Sequence, residues 1–248
     1  MPVLRQTIRR ISALVPDQWK RHLKTALFEA PDTKASLRRM HQLGLNPAVA
    51  IDVGAYIGEW TSSFKHIFPS TRVLMVELQC SHLERLRAVA AAFNSIELAP
   101  VLLGAQERDS VPFHLCESAS SVLAESARST AERTISVSMT TLDKFAAHTV
   151  FARPDFIKLD VQGYELEVLR GAGLALASAE AVLMEVNLIG ILDGAPLFHE
   201  ATQFMSELGS QVYDICTFFR RPYDGTLWQV DVIFVRSSSH LVACKRWA

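Results

Sequence analysis

Two acidic residues flank a glycine-containing turn in the first third of the chain. Asp52 and Gly54 end one short apolar run, Gly58 follows, and Glu77 ends the next apolar run. Glycine at a strand-to-helix turn lets backbone N–H groups approach a ligand closely. A carboxylate at the end of the second strand can accept hydrogen bonds from both hydroxyls of a ribose. The pattern predicts a nucleoside-containing cofactor held at two neighbouring strand ends.

The spacing after Gly54 separates two classes of cofactor. A dinucleotide site needs G-x-G-x-x-G so that the pyrophosphate contacts bare backbone, but Tyr56 and Glu59 stand at the second and third glycine positions. S-adenosylmethionine has no phosphate, and Asp52 can attract its ammonium group directly or through water. The sequence therefore favours S-adenosylmethionine, with S-adenosylhomocysteine as product, over NAD or FAD. The alternative is that Asp52 and Glu77 are surface acids that cap strand ends.

A second group of polar residues lies in and after a later apolar run. Lys158 and Asp160 interrupt the run at 156–161, and Glu165 follows a Gln-Gly turn. Charged side chains in a buried strand need partners, because an unpaired buried charge costs about 3–5 kcal/mol. We expect Asp160 to be a general base or a positioning residue beside the methyl donor, with Glu165 as the second catalytic candidate. For Lys158 we expect a structural ion pair with Glu185.

The residues beyond this strand are candidates for an acceptor pocket. Glu185 and Asn187 lie at the end of the next apolar run, and His199 falls in the segment that should cover the site. We expect these three residues, together with Glu165, to line the pocket for the methyl acceptor. The structural alternative for Asp160 is a cap on the following helix.

These residues belong to an alternating pattern of apolar runs and helical stretches. The runs expected to be buried strands are 48–54, 72–78, 96–104, 156–163 and 181–188. Repeated β-then-α units predict a parallel sheet with right-handed crossovers. Two further runs, 211–216 and 227–236, are joined by a turn too short for a crossover helix and predict an antiparallel hairpin at one edge. Extra extended segments at 111–115 and 134–142 flank a polar loop.

The motifs DVGAYIGEW, FIKLDVQGYELEVLRGA and VLMEVNL, with the Glu77 strand end, resemble FkbM-type S-adenosylmethionine-dependent methyltransferases over roughly residues 35–236. The resemblance implies an α/β class I methyltransferase fold: a Rossmann-like three-layer sandwich with a mostly parallel seven-stranded sheet and a C-terminal antiparallel hairpin. The residues assigned to the donor site are Asp52, Gly54, Ala55, Gly58, Glu77, Ser120 and Ser121. Asp160 and Glu165 match two acids of the D-x-E-G-x-E signature, whose middle acid is replaced here by Gln162.

The resemblance also implies O-methylation, often of a sugar in a surface polysaccharide or of a natural product. The acceptor partner is therefore expected to be a small molecule or a glycan, with no nucleic acid. A rival interpretation is a catalytically silent adaptor that keeps the fold and recruits a partner through its basic N-terminal helix. A nucleotide-sugar dehydrogenase is disfavoured by Tyr56 and Glu59.

Composition limits the classes of protein further. With 248 residues, 49% hydrophobic and a net charge of −1, the chain is not intrinsically disordered and is not a general nucleic-acid binder. Scattered cysteines favour free thiols in the cytoplasm, and no metal site is expected. Residues 1–28 carry six basic side chains against one acid, with apolar residues at helical spacing. We interpret residues 1–45 as a helical extension, docked on the body or touching a membrane surface, and 46–248 as the methyltransferase domain.

Overall fold

The computed structural model describes residues 31–115, 120–123 and 133–247. Its helices are α1 (Thr33–Gln42), α2 (Glu59–Ile67), α3 (Leu83–Ala92), α4 (Leu142–Ala146), α5 (Glu165–Arg170), α6 (Gly173–Ser178) and α7 (Phe198–Glu207). Its strands are β1 (Val49–Val53), β2 (Arg72–Val76), β3 (Ile96–Ala99), β4 (Leu102–Leu103), β5 (Arg108–Leu115), β6 (Arg133–Thr140), β7 (Phe156–Leu159), β8 (Ala181–Asn187), β9 (Ser210–Arg220) and β10 (Leu227–Arg236).

Seven strands form one sheet in the order β3, β2, β1, β7, β8, β10, β9. Strands β3, β2, β1, β7 and β8 are parallel to one another, and β10 runs antiparallel to its neighbours β8 and β9. The predicted mostly parallel sheet with a terminal hairpin is confirmed. Because the strand order reverses between β1 and β7, the carboxyl ends of these two strands border the crevice where ligands bind in such folds.

Neighbouring residues of each strand point to opposite faces of the sheet, so an apolar strand presents hydrophobic side chains on both faces. Helices cover both faces and bury these side chains. Ala50 faces the side covered by α1, α2 and α3, where Phe64 is fully buried. Ile51 faces the side covered by α4 to α7, where Leu166 is buried. The result is the predicted three-layer sandwich, with a core on each side of the sheet.

The run at 96–104 does not form the single strand that the sequence predicts. Pro100 divides it, since proline has no N–H to donate to a strand ladder. The second half, β4, leaves the main sheet and joins a three-stranded sheet in the order β4, β6, β5. The extended segment predicted at 111–115 is confirmed as part of β5, and the one predicted at 134–142 is confirmed up to Thr140 of β6, since α4 begins at Leu142.

The basic segment 1–28 lies outside the described residues, and the division at residue 45 stays a prediction. Within that predicted extension, α1 contributes Leu37 and Met40 to the same buried cluster as Phe64 of α2. Across the described ranges, no helix combines the length and apolar character needed to cross a membrane.

Candidate active site

The turn after β1 is built around two glycines with positive φ. Gly54 has φ +75°, and a Cβ there would lie 1.8 Å from the backbone oxygen of Asp160. Only glycine lets the end of β1 pass so close to the end of β7. The N–H groups of Gly54 and Ala55 donate to the carbonyl of Val76 at 3.0 and 3.1 Å. Gly58, with φ +81°, is the N-cap residue of α2. The predicted glycine turn is therefore held against β2 and β7.

Glu77 follows β2 and faces this turn. Its Oε2 accepts the Tyr56 N–H at 2.9 Å, and its Oε1 accepts the Gln79 N–H at 2.8 Å. Burial raises the pKa of Glu77, and the two backbone N–H bonds oppose that rise. The carboxylate is thus held at the end of β2 while still lining a cavity described below. This is the place expected for a group that binds a ribose.

Asp52 is fully buried and paired within the protein. Lys158 Nζ lies 3.0 Å from its Oδ1, and Thr61 Oγ1 donates to its Oδ2 at 2.6 Å. The same Lys158 ammonium donates to the Gly54 carbonyl at 2.7 Å. Asp52 is not among the described residues that line the cavities beside the turn. The structure therefore places this acid where it orients Lys158 and, through it, the glycine turn.

The predicted ion pair between Lys158 and Glu185 is wrong. The register of β1 and β7 sets Asp52 directly opposite Lys158, whereas β8 presents Leu183 at that position. The lysine consequently pairs with Asp52, and its Nζ lies 3.7 Å from Asp160 Oδ2.

A first cavity opens at the carboxyl ends of β1, β2 and β7, with about 790 Å³ of empty space. Its apolar walls include Val53, Val76, Leu102, Phe113, Val122 and Val161. Its polar wall carries Glu77, Gln79, Ser120, Asp160 and Gln162. A mostly apolar cavity with a few convergent polar groups is typical of a small-molecule site. An acid at the ribose position, apolar walls for a base and a glycine turn fit an adenosyl ligand.

A second cavity, with about 850 Å³ of empty space, lies on the other side of the turn. Aromatic rings of Tyr56, Trp60 and Phe219 line it. Its lining also includes four acids, Glu59, Asp160, Glu185 and Asp231. Gly54, Tyr56 and Asp160 line both cavities and so form their shared boundary.

Asp160 and Glu185 are joined by one side chain at this boundary. Gln162 Nε2 lies 2.9 Å from Asp160 Oδ1 and 2.9 Å from Glu185 Oε1. The Asp160 side chain keeps 39% of its surface exposed. Burial, followed by the negative charges of Asp160, Glu165 and Asp231, raises the pKa of Glu185 well above its usual value. A partly exposed carboxylate at the boundary can accept a proton from a ligand in either cavity.

Glu165 occupies a different position from the one expected. Its Oε1 accepts the N–H groups of Val161 and Gly163 at 2.9 and 3.1 Å, so the side chain braces the turn after β7. Gln162 and Gly163 both have positive φ in that turn. Burial raises the pKa of Glu165 to about 7. Glu165 is not among the described residues lining either cavity.

The remaining predicted residues divide between the site and its surroundings. Ser120 lines the first cavity, and buried Ser121 donates from Oγ to the Gln162 carbonyl at 2.8 Å. Asn187 is buried, and its Oδ1 accepts from Gln229 at 3.3 Å. His199 is exposed on α7. Neither Asn187 nor His199 is among the described residues that line the two cavities.

Sequence reasoning missed the aromatic residues Tyr56, Trp60 and Phe219 and the acids Glu59 and Asp231 as lining residues of the second cavity. Asp231 gave a usable signal, because it is an acid inside the apolar run at 227–236, just as Glu185 is in its own run. The register of β8 and β10 sets Asp231 directly opposite Glu185. Trp60 and Phe219 gave no such signal, since rings are common in helices and strands that pack in a core.

Over 31–115, 120–123 and 133–247, no group of three or more His, Cys, Asp or Glu side chains has an arrangement that could hold a metal ion.

The sheet order, the helices on both faces and the cavity at the ends of β1 and β2 define a class I methyltransferase fold. The profile of the Methyltransferase FkbM domain matches residues 52–212, which is more than half of the chain. The chain therefore belongs to the FkbM methyltransferase family, and S-adenosylmethionine is its cofactor. No curated protein matches the sequence.

Several solved structures are similar to this chain at low sequence identity. Precorrin-6y C5,15-methyltransferase from Geobacter metallireducens GS-15 is 10% identical, with a TM-score of 0.46 over 82% of this chain and 88% of that chain. Magnesium protoporphyrin IX methyltransferase (ChlM) from Synechocystis PCC 6803, solved with bound SAM, is 12% identical, with a TM-score of 0.47 over 82% and 76%. Ribosomal protein L11 methylase from Lactobacillus delbrueckii subsp. bulgaricus is 12% identical, with a TM-score of 0.47 over 82% and 78%. These are likenesses of fold alone.

Proposed function

We propose that the protein transfers a methyl group from S-adenosylmethionine to a hydroxyl oxygen of a sugar, a polysaccharide precursor or a natural product. The observation that carries this proposal is that Gly54, Tyr56 and Asp160 line both cavities. A transfer reaction between two ligands needs two adjoining spaces with one shared boundary. In this proposal the first cavity holds the donor and the second cavity holds the acceptor.

The residues of the first cavity suit the donor. Glu77 would accept the ribose hydroxyls, the glycine turn would leave room for the amino-acid portion, and Val76, Leu102 and Phe113 would contact the base. When bound, S-adenosylmethionine supplies a methyl group on a positively charged sulfur. The protein's own contribution is to align the two ligands and exclude water, which can supply roughly 7–11 kcal/mol at best.

Asp160 is the residue suited to receive the acceptor proton. A hydroxyl oxygen must lose its proton as it attacks a methyl group, and a positioned carboxylate can take that proton. Asp160 lines both cavities and retains an exposed carboxylate, so it can contact a hydroxyl in the second cavity. Glu165, buried behind the turn, would act only by holding the backbone at 161–163 in place.

The walls of the second cavity support an acceptor rich in hydroxyl groups. The rings of Tyr56, Trp60 and Phe219 offer apolar faces on which a sugar ring can pack. Glu185 and Asp231 offer carboxyl groups that can bond to hydroxyls, and burial raises the pKa of both. A protonated carboxyl donates and an ionised one accepts, so this wall can match both roles of a hydroxyl group.

The test is methylation of an acceptor from a complex mixture. The purified protein is incubated with S-adenosylmethionine carrying a labelled methyl group and with cell extract, and the glycan and small-molecule fractions are then analysed. We expect base-stable label on a hydroxyl-derived ether in one of these fractions. Asp160→Asn should abolish the label, whereas Asp109→Asn, an exposed acid on β5, should retain it. A catalytically silent adaptor would produce no label with any variant.

A further inference from the structure

One amide group bridges two carboxyl groups at the boundary between the cavities. The two N–H bonds of Gln162 Nε2 point to Asp160 Oδ1 and Glu185 Oε1, each at 2.9 Å. An amide nitrogen carries two hydrogens, so each carboxyl group receives one of them. The amide of Gln162 therefore donates its full complement of hydrogens at this point.

The backbone of Gln162 is fixed as firmly as its side chain. Its φ is +56°, an unusual value for a residue other than glycine. Its carbonyl accepts a hydrogen bond from Ser121 Oγ at 2.8 Å. Glu165 holds the backbone N–H groups on either side of it, at Val161 and Gly163. A strained residue held from three directions is expected where its side chain has a specific task.

The surroundings of this amide are strongly acidic. The titratable groups that line a cavity together with Gln162 or its two partners are Tyr56, Glu59, Glu77, Lys158, Tyr164 and Asp231, and the charge of buried Glu165 also acts on Glu185. The cation among them, Lys158, is closer to Asp52 (3.0 Å) than to Asp160 (3.7 Å). Two carboxyl groups brought to one point repel each other unless a proton, a cation or a hydrogen-bond donor lies between them. Gln162 is that donor.

We propose that Gln162 is a positioning residue for methyl transfer: its neutral amide takes the place of a proton or a cation between Asp160 and Glu185 and so holds the Asp160 carboxylate at the boundary of the two cavities. The role in transfer rests on the proposed function. The bridge itself does not, because it concerns only residues of this chain.

The bridge predicts different behaviour for two substitutions at one position. Gln162→Glu replaces the amide NH₂ group by a carboxylate oxygen with almost no change in shape, and so places a third carboxyl group beside those of Asp160 and Glu185. Gln162→Met removes both hydrogen bonds without adding charge. The charged variant should depend on pH and on divalent cations, because either protons or Mg²⁺ can lie between three carboxyl groups. The uncharged variant should keep the background pH dependence that Glu165, Glu185 and Asp231 give the parent, and the charged variant should depend on pH more steeply than either.

Thermal unfolding of the full chain provides a readout that needs no cofactor or acceptor. Near pH 8, we expect the midpoint of Gln162→Glu to fall by about 5 °C or more below the parent, and to recover near pH 5.5 or with millimolar MgCl₂. The parent and Gln162→Met should show no recovery with MgCl₂. Unfolding of Gln162→Glu at the higher pH with folding retained at the lower one would support the same conclusion. Equal midpoints for Gln162→Glu and Gln162→Met at every pH, with and without MgCl₂, would overturn the bridge.

The functional half of the proposal is tested by a pH profile. The labelling rate of Gln162→Glu near pH 8 should fall by about 10-fold or more below that of the parent and be partly restored by MgCl₂. Because Gln162 lines the first cavity, rates are compared at saturating S-adenosylmethionine, so that weaker donor binding is not counted as a loss of transfer. A labelling rate unaffected in both variants would exclude a positioning role. If the parent neither binds S-adenosylhomocysteine nor labels any fraction, the proposed function fails, and the thermal measurement still decides whether the bridge exists.

Discussion

Lys158 and Asp52 lie directly opposite each other on β7 and β1, with Nζ 3.0 Å from Oδ1 and both side chains buried. Burial by itself would lower the pKa of Lys158, but the Asp52 and Asp160 carboxylates raise it above its usual value. The lysine is therefore charged throughout the physiological range. Because it also donates to the Gly54 carbonyl at 2.7 Å, it fastens the glycine turn to the centre of the sheet.

Lys158→Met should destabilise the protein strongly. Removing the ammonium leaves Asp52 buried without its counter-ion, which costs about 3–5 kcal/mol in comparable pairs. Urea denaturation followed by circular dichroism measures the free energy of unfolding. Lys144→Met is the matched control, because Lys144 pairs with Glu107 on the surface and exposed pairs contribute about 1 kcal/mol or less. An equal loss in the two variants would contradict a dominant role for the buried pair.

Glu77→Gln should weaken binding of the donor without unfolding the chain. A glutamine keeps one oxygen acceptor but cannot accept from Tyr56, Gln79 and a ribose with the strength of a carboxylate. Hydrogen bonds to charged groups are worth about 1.5–3 kcal/mol, so the affinity should fall about 10-fold to 100-fold. Calorimetric titration with S-adenosylhomocysteine measures this change. Glu97→Gln, an exposed acid on β3, should bind as the parent does, and an unaltered affinity in Glu77→Gln would remove the ribose assignment.

The fold was predictable because its signals are local. Buried parallel strands are continuous apolar runs, and the runs that contain Asp52, Lys158 and Glu185 all became neighbouring strands of one sheet. The prediction of a single strand at 96–104 rested on hydrophobicity alone, and it was wrong. Pro100 interrupts hydrogen bonding within that run, and β4 pairs with β6, a strand about 35 residues further along the chain.

The site was only partly predictable because ion-pair partners depend on register. The sequence indicates that Lys158 needs a carboxylate partner. It does not indicate whether Asp52 or Glu185 is that partner, and the register of β1 and β7 selects Asp52. The same limit applies to Asp52, which was expected to attract the ammonium group of the donor directly or through water and is enclosed with Lys158 and Thr61. Phe219 reaches the second cavity only through the pairing of β9 with β10, which no local pattern specifies.

Asp160→Asn should abolish methyl transfer while leaving the donor affinity near that of the parent. Asparagine keeps the oxygen that accepts from Gln162 but cannot take a proton from a hydroxyl. General-base residues contribute about 100-fold to 10,000-fold to the rate, and a loss in this range is expected in the labelling assay. Titration with S-adenosylhomocysteine tests whether the donor site is intact. Full activity in this variant would exclude Asp160 as the proton acceptor.

Glu165 should make the folded protein less stable as the pH rises. Burial raises its pKa from 4.5 to about 7, so between these values the folded chain binds more protons than the unfolded chain. The free energy of unfolding therefore decreases with rising pH through this window, by on the order of 3 kcal/mol from this residue alone. The stabilising contribution is complete below pH 4.5 and lost once the pH passes about 7.

Glu165→Gln should flatten this dependence, because glutamine can still accept the Val161 and Gly163 N–H bonds but does not titrate. Urea denaturation at a series of pH values between 4.5 and 8 should show the parent losing more stability than the variant across the interval. Glu185 and Asp231 titrate in the same direction, since burial raises the pKa of each, so some slope remains in the variant. Glu97→Gln should follow the parent curve. Parallel curves for the parent and Glu165→Gln would show that Glu165 ionises in the folded protein without lowering the free energy of unfolding. A charged carboxylate would then brace the turn after β7.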